Sequence, residues 1–373
     1  MLQEVSGVYH FRGNVDNLAE LQAIENPEEG DVYNIRDTGM NAAWTGESWD
    51  DFGSIADLSP YALREEIQPI AISDVYRILY SGNKAVVPDA ESLHAMVANT
   101  EPQVEIILNK NMNLSNAISV PAGKEVTLDL NGKTIDGNVQ TLVNVAGGSI
   151  TIKNGTVTGT NRTVVVAGGE LILEDANIVS TSDCAISATG TESSVVINDG
   201  HVVAQEAGVL VTSGASLEIN GGEIEGIDNG PVMGNGTAGQ GNVNVVMNGG
   251  KLIAHIQTAG YVACGVYMPN SGSFTMNDGE IISDGAGIVM RGGQVNLNGG
   301  KITATGPSGV TGKVGDSRVV VGPYAIVYDV DSKYPASDTL ELNIKQNSVI
   351  LSGTDGAINV IPSDFEANIN YLD

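Results

Sequence analysis

The string NGGEIEG at residues 220–226 recurs in altered form as NGGKLIA from 248, NDGEIIS from 277 and NGGKITA from 298. A chain that repeats itself over a few tens of residues can bury its apolar positions only against neighbouring copies. The first residue of each polar corner serves as an anchor: Asn131, Lys153, Glu174, Asn198, Asn220, Asn248, Asn277 and Asn298, with gaps of 22, 21, 24, 22, 28, 29 and 21. Positions −3, −1 and +4 from each anchor are apolar in 24 of 24 cases, where the 42% apolar composition would give about ten.

Apolar residues at −3 and −1 alternate with polar ones, which is the period of a strand with one buried face. Position +1 is Gly, Asn or Asp in every copy, the residue types that tolerate a left-handed backbone in a tight corner. The +4 residue then points inward from the next short strand. Upstream of most anchors lies another short apolar stretch, such as TVVVA, AGVLV or CGVYM. The fold this predicts is all-β: a right-handed, single-stranded parallel β-helix of about 10–11 coils with three short strands each, adjacent coils lying about 4.8 Å apart. The corner asparagines read as a structural hydrogen-bonded ladder.

The pattern extends to both sides. VEIILNKNMNL puts Asn109 22 residues before Asn131, and LNIKQNSVI fits with Lys345 as anchor, 47 residues after Asn298. That last gap leaves room for one irregular coil around SRVVVGP. The longer gaps before Asn248 and Asn277 imply lateral loops, GNGTAGQGN and QTAGYVACG. Cys184 and Cys264 fall three coils apart, on the order of 14 Å, too far for a disulfide. Buried free thiols fit synthesis in a reducing compartment.

Composition narrows the partners. The chain has 373 residues, a formal net charge of −28, 47 glycines and 5% aromatics. The charge repels phosphates and so argues against nucleic acid or an anionic membrane as a direct partner. A solvated surface explains the acids, and no loop has the spacing of an EF-hand calcium site. No run of eighteen apolar residues spans a membrane, and the start, MLQEVSGVYHFRGNV, lacks the basic and apolar regions of a secretory signal.

The first hundred residues are different material, holding both tryptophans. VDNLAELQAI reads as a short helix with an Asp or Asn cap, and GDVYNIRDTGMNAAWTGESWDDFGS (30–54) as a small β-hairpin unit. Residues 55–82 read as a connector. PDAESLHAMVANT (88–100), with Asp89 as N-cap, is an amphipathic helix placed to cover the open end of the first coil. The expected division is 1–54, a small α+β module; 55–100, connector and capping helix; and 101–373, the β-helix.

The strings FRGNV, GDVYN (30–34) and AWTGESWDDFG (43–53) resemble the small N-terminal module of bacteriophage fibre proteins, particularly head fibres. The resemblance covers the first 54 residues. It implies a virion structural protein, homotrimeric, made in the bacterial host cytoplasm and displayed on the virion surface, attached to other virion proteins through its N-terminus. VTLDLNGKTIDG (126–137) is similar to the opening coil of pectin-lyase-like surface proteins and phage spikes. Under this reading Trp44, Trp49 and Tyr33 are docking residues, or Trp44 and Trp49 form the module's own core.

Many β-helices cleave polysaccharides, so an enzyme is the rival reading. The NTD, GDD, GHG and RIK motifs of polygalacturonase-like enzymes do not occur. Asp175, Asp199 and Asp278 sit at the +1 corner, where Asp serves the backbone. His201 reads as a solvent-facing corner residue, and His10, His94 and His255 lack metal-ligand spacing to Cys or acids. No catalytic residue, cofactor or metal is therefore assigned. From Gly82 to Gly260 there is no aromatic residue, which leaves Tyr261, Tyr267, Tyr324, Tyr328 and Tyr334 as candidates for contact with a bacterial surface glycan or another subunit. The alternatives are a cell-surface β-helix adhesin and a tailspike-like depolymerase.

Overall fold

The computed structural model describes residues 10–54, 80–81, 83–137, 139–234, 242–269, 271–314, 319–330, 340–363 and 365–373. The chain divides into two compact units. Most of the expected connector, most of the lateral loop GNGTAGQGN, and Tyr334 lie outside the described residues.

In the N-terminal unit, strand His10–Val15 runs parallel to Asp31–Ile35, and Met40–Trp44 and Trp49–Ser54 add antiparallel to make four strands. The helix Leu18–Gln22 is opened by Asn17, whose side chain accepts the Glu20 amide at 3.0 Å. That bond satisfies a donor that the helix start leaves open, and Glu20 in turn accepts the Asp16 amide just before the cap at 2.8 Å. Leu21, Ile35 and Ala42 form the core, with Val15, Ile24, Tyr33 and Trp49 packed against it. Asp31 is buried and accepts the Arg12 Nε–H at 2.6 Å and the Glu28 amide at 3.1 Å. The hydrogen bond from Arg12 holds the Asp31 carboxyl below the usual carboxylate range.

The second unit is a right-handed parallel β-helix with three ribbons of strands. One ribbon contains Glu125–Asp129, Ser194–Ile197 and Ser216–Ile219; a second contains Thr134–Gly137, Gly200–Ala204 and Glu223–Ile227. The third is a separate sheet of ten parallel strands from Ile118–Pro121 to Gly356–Ile361. Strands Ser149–Gly159 and Glu170–Ser180 run through the corner and belong to both of the first two ribbons. All 24 anchor-relative apolar positions line the interior, each at most 1% exposed. Every such residue contributes about 1.5–3 kcal/mol by leaving water.

After the Asn131 corner, where the anchor and Gly132 are both left-handed with φ of 49° and 72°, the corners are built in two ways. At Asn154 and Asp175 the +1 residue takes the left-handed conformation, with φ of 59° and 53°. From Asn198 onward the turn moves one residue on, to Gly200, Gly222, Gly250, Gly279 and Gly300 at +2. The +4 residue still points inward, because both corners contain the same number of residues. The expected ladder is present: Asn220, Asn248, Asn277 and Asn298 each donate Nδ2–H to the Oδ1 of the preceding corner asparagine, at 2.8–2.9 Å.

Both ends of the repeat deviate from the simplest reading. Asn109 aligns with Asn131, but its corner is one residue shorter, so Met112 pairs with Ile135. The Lys345 corner is two residues longer, and Leu351, not Val349, pairs with Ile302. No irregular coil intervenes before it, since Gln294–Leu297 pairs directly with Glu341–Ile344. The SRVVVGP segment instead supplies Val319–Val321, antiparallel to Thr311–Lys313, a hairpin inserted sideways within one long coil. Two further strands, Lys84–Val87 and Ile369–Leu372, extend the first ribbon.

The capping helix is Ala90–Val97, with Asp89 accepting the Ser92 amide at 2.8 Å. Leu93, Met96 and Val97 are buried. Lys124, itself 5% exposed, donates Nζ–H to the Asn99 side chain at 2.6 Å, to the Asn99 carbonyl at 3.1 Å and to the Glu101 carbonyl. It thereby ties the end of the helix to the first full coils.

Leu252→Ala empties a fully buried site and is expected to cost about 2–5 kcal/mol. Asn248→Ala removes two exposed ladder bonds and is expected to cost about 1–2 kcal/mol. Guanidinium unfolding with hydrogen exchange checks that order, and a larger loss for Asn248→Ala would contradict it. Both tryptophans report on the N-terminal unit, so their fluorescence follows its acid unfolding. The depressed Asp31 carboxyl contributes stability that is present above the unfolded carboxylate pKa and lost as pH falls through the folded value. Asp31→Asn is therefore expected to weaken the unit at neutral pH and flatten its acid limb.

Candidate functional site

Parallel pairing in register carries equivalent positions of successive coils into rows along the outer face. On the second ribbon one such row is Asn177, His201, Glu223, Lys251, Glu280 and Lys301. Its charges alternate and pair: Lys251 Nζ lies 3.4 Å from Glu223 Oε2, and Lys301 Nζ 3.0 Å from Glu280 Oε1. His201 adds a third element. Its Nε2 lies 3.4 Å from Glu223 Oε1 and 3.2 Å from Oε1 of Glu225, two residues along the same strand and on the same face. The three side chains are 39%, 34% and 26% exposed, so solvent reaches them while the strands behind hold them.

These strands are fixed from the inside. Val202 and Ile224 are fully buried between the cluster residues in sequence, so the lumen packing sets where His201 and the two glutamates emerge. Nearby, His255 Nδ1 lies 3.2 Å from Asp284 Oδ2, which also accepts the Ile256 amide at 3.4 Å. Neither histidine is the isolated residue that linear spacing suggests. The signal that finds their partners is the repeat itself: His201 and Glu223 are one 22-residue period apart, and His255 and Asp284 one 29-residue period.

Chemically, an imidazole between two carboxylates offers a nitrogen and two oxygens to one point. Glu223 and Glu225 project the same way from one strand.

The aromatic candidates lie elsewhere. The outward positions Met233, Tyr267, Val289 and Val327 of the third ribbon are register partners and are buried. They form a second apolar cluster with Val262, Val314, Cys184 and Cys264, flanked by half-buried Tyr324. The lateral loop around Tyr261 reaches the inserted hairpin: Val262 N–H donates to the Lys313 carbonyl and Lys313 N–H to the Gly260 carbonyl, both at 2.8 Å. Tyr267 is 1% exposed and its hydroxyl accepts from Arg291, which also donates to Asp329 at 2.7 Å. Tyr328 is equally buried, donating to the Leu340 carbonyl at 2.7 Å. The structure thus gathers Tyr267 and Tyr324 into one cluster, places Tyr328 on the same strand as Tyr324 in register with Met290, and leaves Tyr261 half-buried.

In the N-terminal unit, Trp44 and Trp49 face each other across a hairpin with ring centroids 5.3 Å apart, and Tyr33 meets Trp49 edge-on at 5.7 Å. All three are half-buried. Among the described residues, the exposed large apolar side chains of this unit are Phe11 and Leu18.

No family model matches the chain, and comparisons with curated proteins and with solved structures found no significant match. The fold is consistent with pectin-lyase-like β-helix proteins generally.

Cys184 and Cys264 are buried free thiols. Burial pushes both thiols up from their ordinary value, and the neighbouring Asp183 adds to this at Cys184. A thiol reacts through its thiolate. Native protein at pH 8 is therefore expected to react only slowly with Ellman's reagent, and denatured protein to release two equivalents. Fast stoichiometric reaction of the native chain would contradict that burial.

Proposed function

We propose that this chain is a non-enzymatic structural protein of a bacteriophage virion, a head fibre or related decoration fibre. In this reading the solenoid projects from the particle and the N-terminal module docks on another virion protein. The protein is made in the host cytoplasm, assembles as a homotrimer and touches host surface glycan weakly and many times over, so that copy number supplies the avidity. The observation that carries the reading is the pairing of two unlike units: a four-stranded module with its own core, bearing the fibre-like strings, and a regular solenoid.

The regularity suits a mechanical role. Stability sums over neighbouring coils, and the polar side chains of the outer rows are engaged largely with each other from coil to coil. Examples are the asparagine ladder and the alternating row of the second ribbon. A second ladder runs along the first ribbon, where Asn370 donates to Asn343 and Asn343 to Asn296, at 2.9 and 2.8 Å.

The test is incorporation into particles. Replacing exposed Phe11 and Leu18 by serine leaves the module core untouched, whereas Trp44→Ala with Trp49→Ala removes the aromatic hairpin pair. Under the docking reading, both double variants reduce the copies per particle at least tenfold while the solenoid stays folded by circular dichroism. Full incorporation of both would remove the docking role.

A further inference from the structure

We propose that His201, Glu223 and Glu225 form a binding site for one divalent transition-metal ion of the zinc or manganese class, bridging two adjacent coils. The proposal is independent of the virion reading and rests on donor type, spacing and rigidity.

Two donor atoms bound to one zinc-sized ion at about 2.0–2.2 Å lie about 3.0–3.5 Å apart for bond angles between octahedral and tetrahedral. His201 Nε2 lies 3.4 and 3.2 Å from the two glutamate oxygens, and the three ligand atoms fall within 4.8 Å of one another. Little rearrangement is needed to place an ion between them. Among the described residues, no other group of three histidine, cysteine or acidic side chains converges this closely.

The donor set selects the metal. Calcium and magnesium take all-oxygen sites, whereas imidazole with carboxylate suits zinc and manganese. Three protein ligands on an open face leave the remaining positions to water. Rigidity comes from below, since the ligands belong to strands paired in register through His201 and Glu223, with Val202 and Ile224 locked into the lumen. Lys251 engages Oε2 of Glu223, the oxygen that the cluster does not use. Its positive charge therefore lies close enough to oppose a cation held by the cluster. The neighbouring His255–Asp284 pair offers only two such donors and serves as an internal control.

The experiment uses untagged full-length protein stripped with EDTA and titrated with zinc chloride by calorimetry, with bound metal counted after equilibrium dialysis. The expected result is one zinc per chain. His201→Ala, His201→Gln and Glu225→Gln are each expected to weaken binding at least tenfold. His255→Ala should leave it unchanged, and Lys251→Met should tighten it severalfold by removing the nearby cation. Circular dichroism and melting of the metal-free variants should match the parent, since the side chains are partly exposed. Failure to bind zinc stoichiometrically, unchanged affinity in either His201 variant, or calcium binding as tight as zinc would overturn the proposal.

Discussion

Everything in the solenoid depends on one coil lying in register on the next. A single coil has three strands too short to bury their own apolar faces, so the aliphatic interior exists only as a stack. Val195 lies beside Leu217, Leu217 beside Val245 and Val245 beside Phe274, while the backbone pairs in the same order. Slipping any coil by one residue would turn its inward residues out.

The same register decides what happens on the surface. Once the interior is fixed, side chains one period apart are neighbours whatever their distance along the chain. That is how an asparagine ladder, an alternating row of charges and the His201–Glu223–Glu225 cluster arise from unremarkable local sequence. Where insertions interrupt the period, the third ribbon's outer face is roofed over. Met233, Tyr267, Val289 and Val327 then become a second core, not a solvent-facing stripe.

Most of the solenoid was legible in the sequence because its signal is a period, and the interior positions and the ladder follow from it; the cap at Asp89 was legible from helix-capping and amphipathic pattern instead. What escaped were places where the period changes length without changing residue type. The corner after Asn109 is short and that after Lys345 long, although both keep the alternation of their strands. The Val319–Val321 segment has the β-branched composition of a coil strand, and only its antiparallel partner at Thr311–Lys313 reveals a hairpin. His201 is solitary along the chain and meets its partners only one turn away. The burial of Tyr267 depends on lateral segments with no repeat to read, whereas Tyr328 alternates with outward Val327 and lies in register with Met290.

The corner ladder has a direction. Each amide from Asn220 to Asn298 gives its hydrogen to the oxygen of the lower-numbered coil, and the helix closes the lower-numbered end. A coil leaving the ribosome therefore finds its acceptor already in place on the turn made just before it. Growth by addition to a finished template needs contacts only one turn back, so the nascent chain can be laid down vectorially, each turn setting the pitch for its successor.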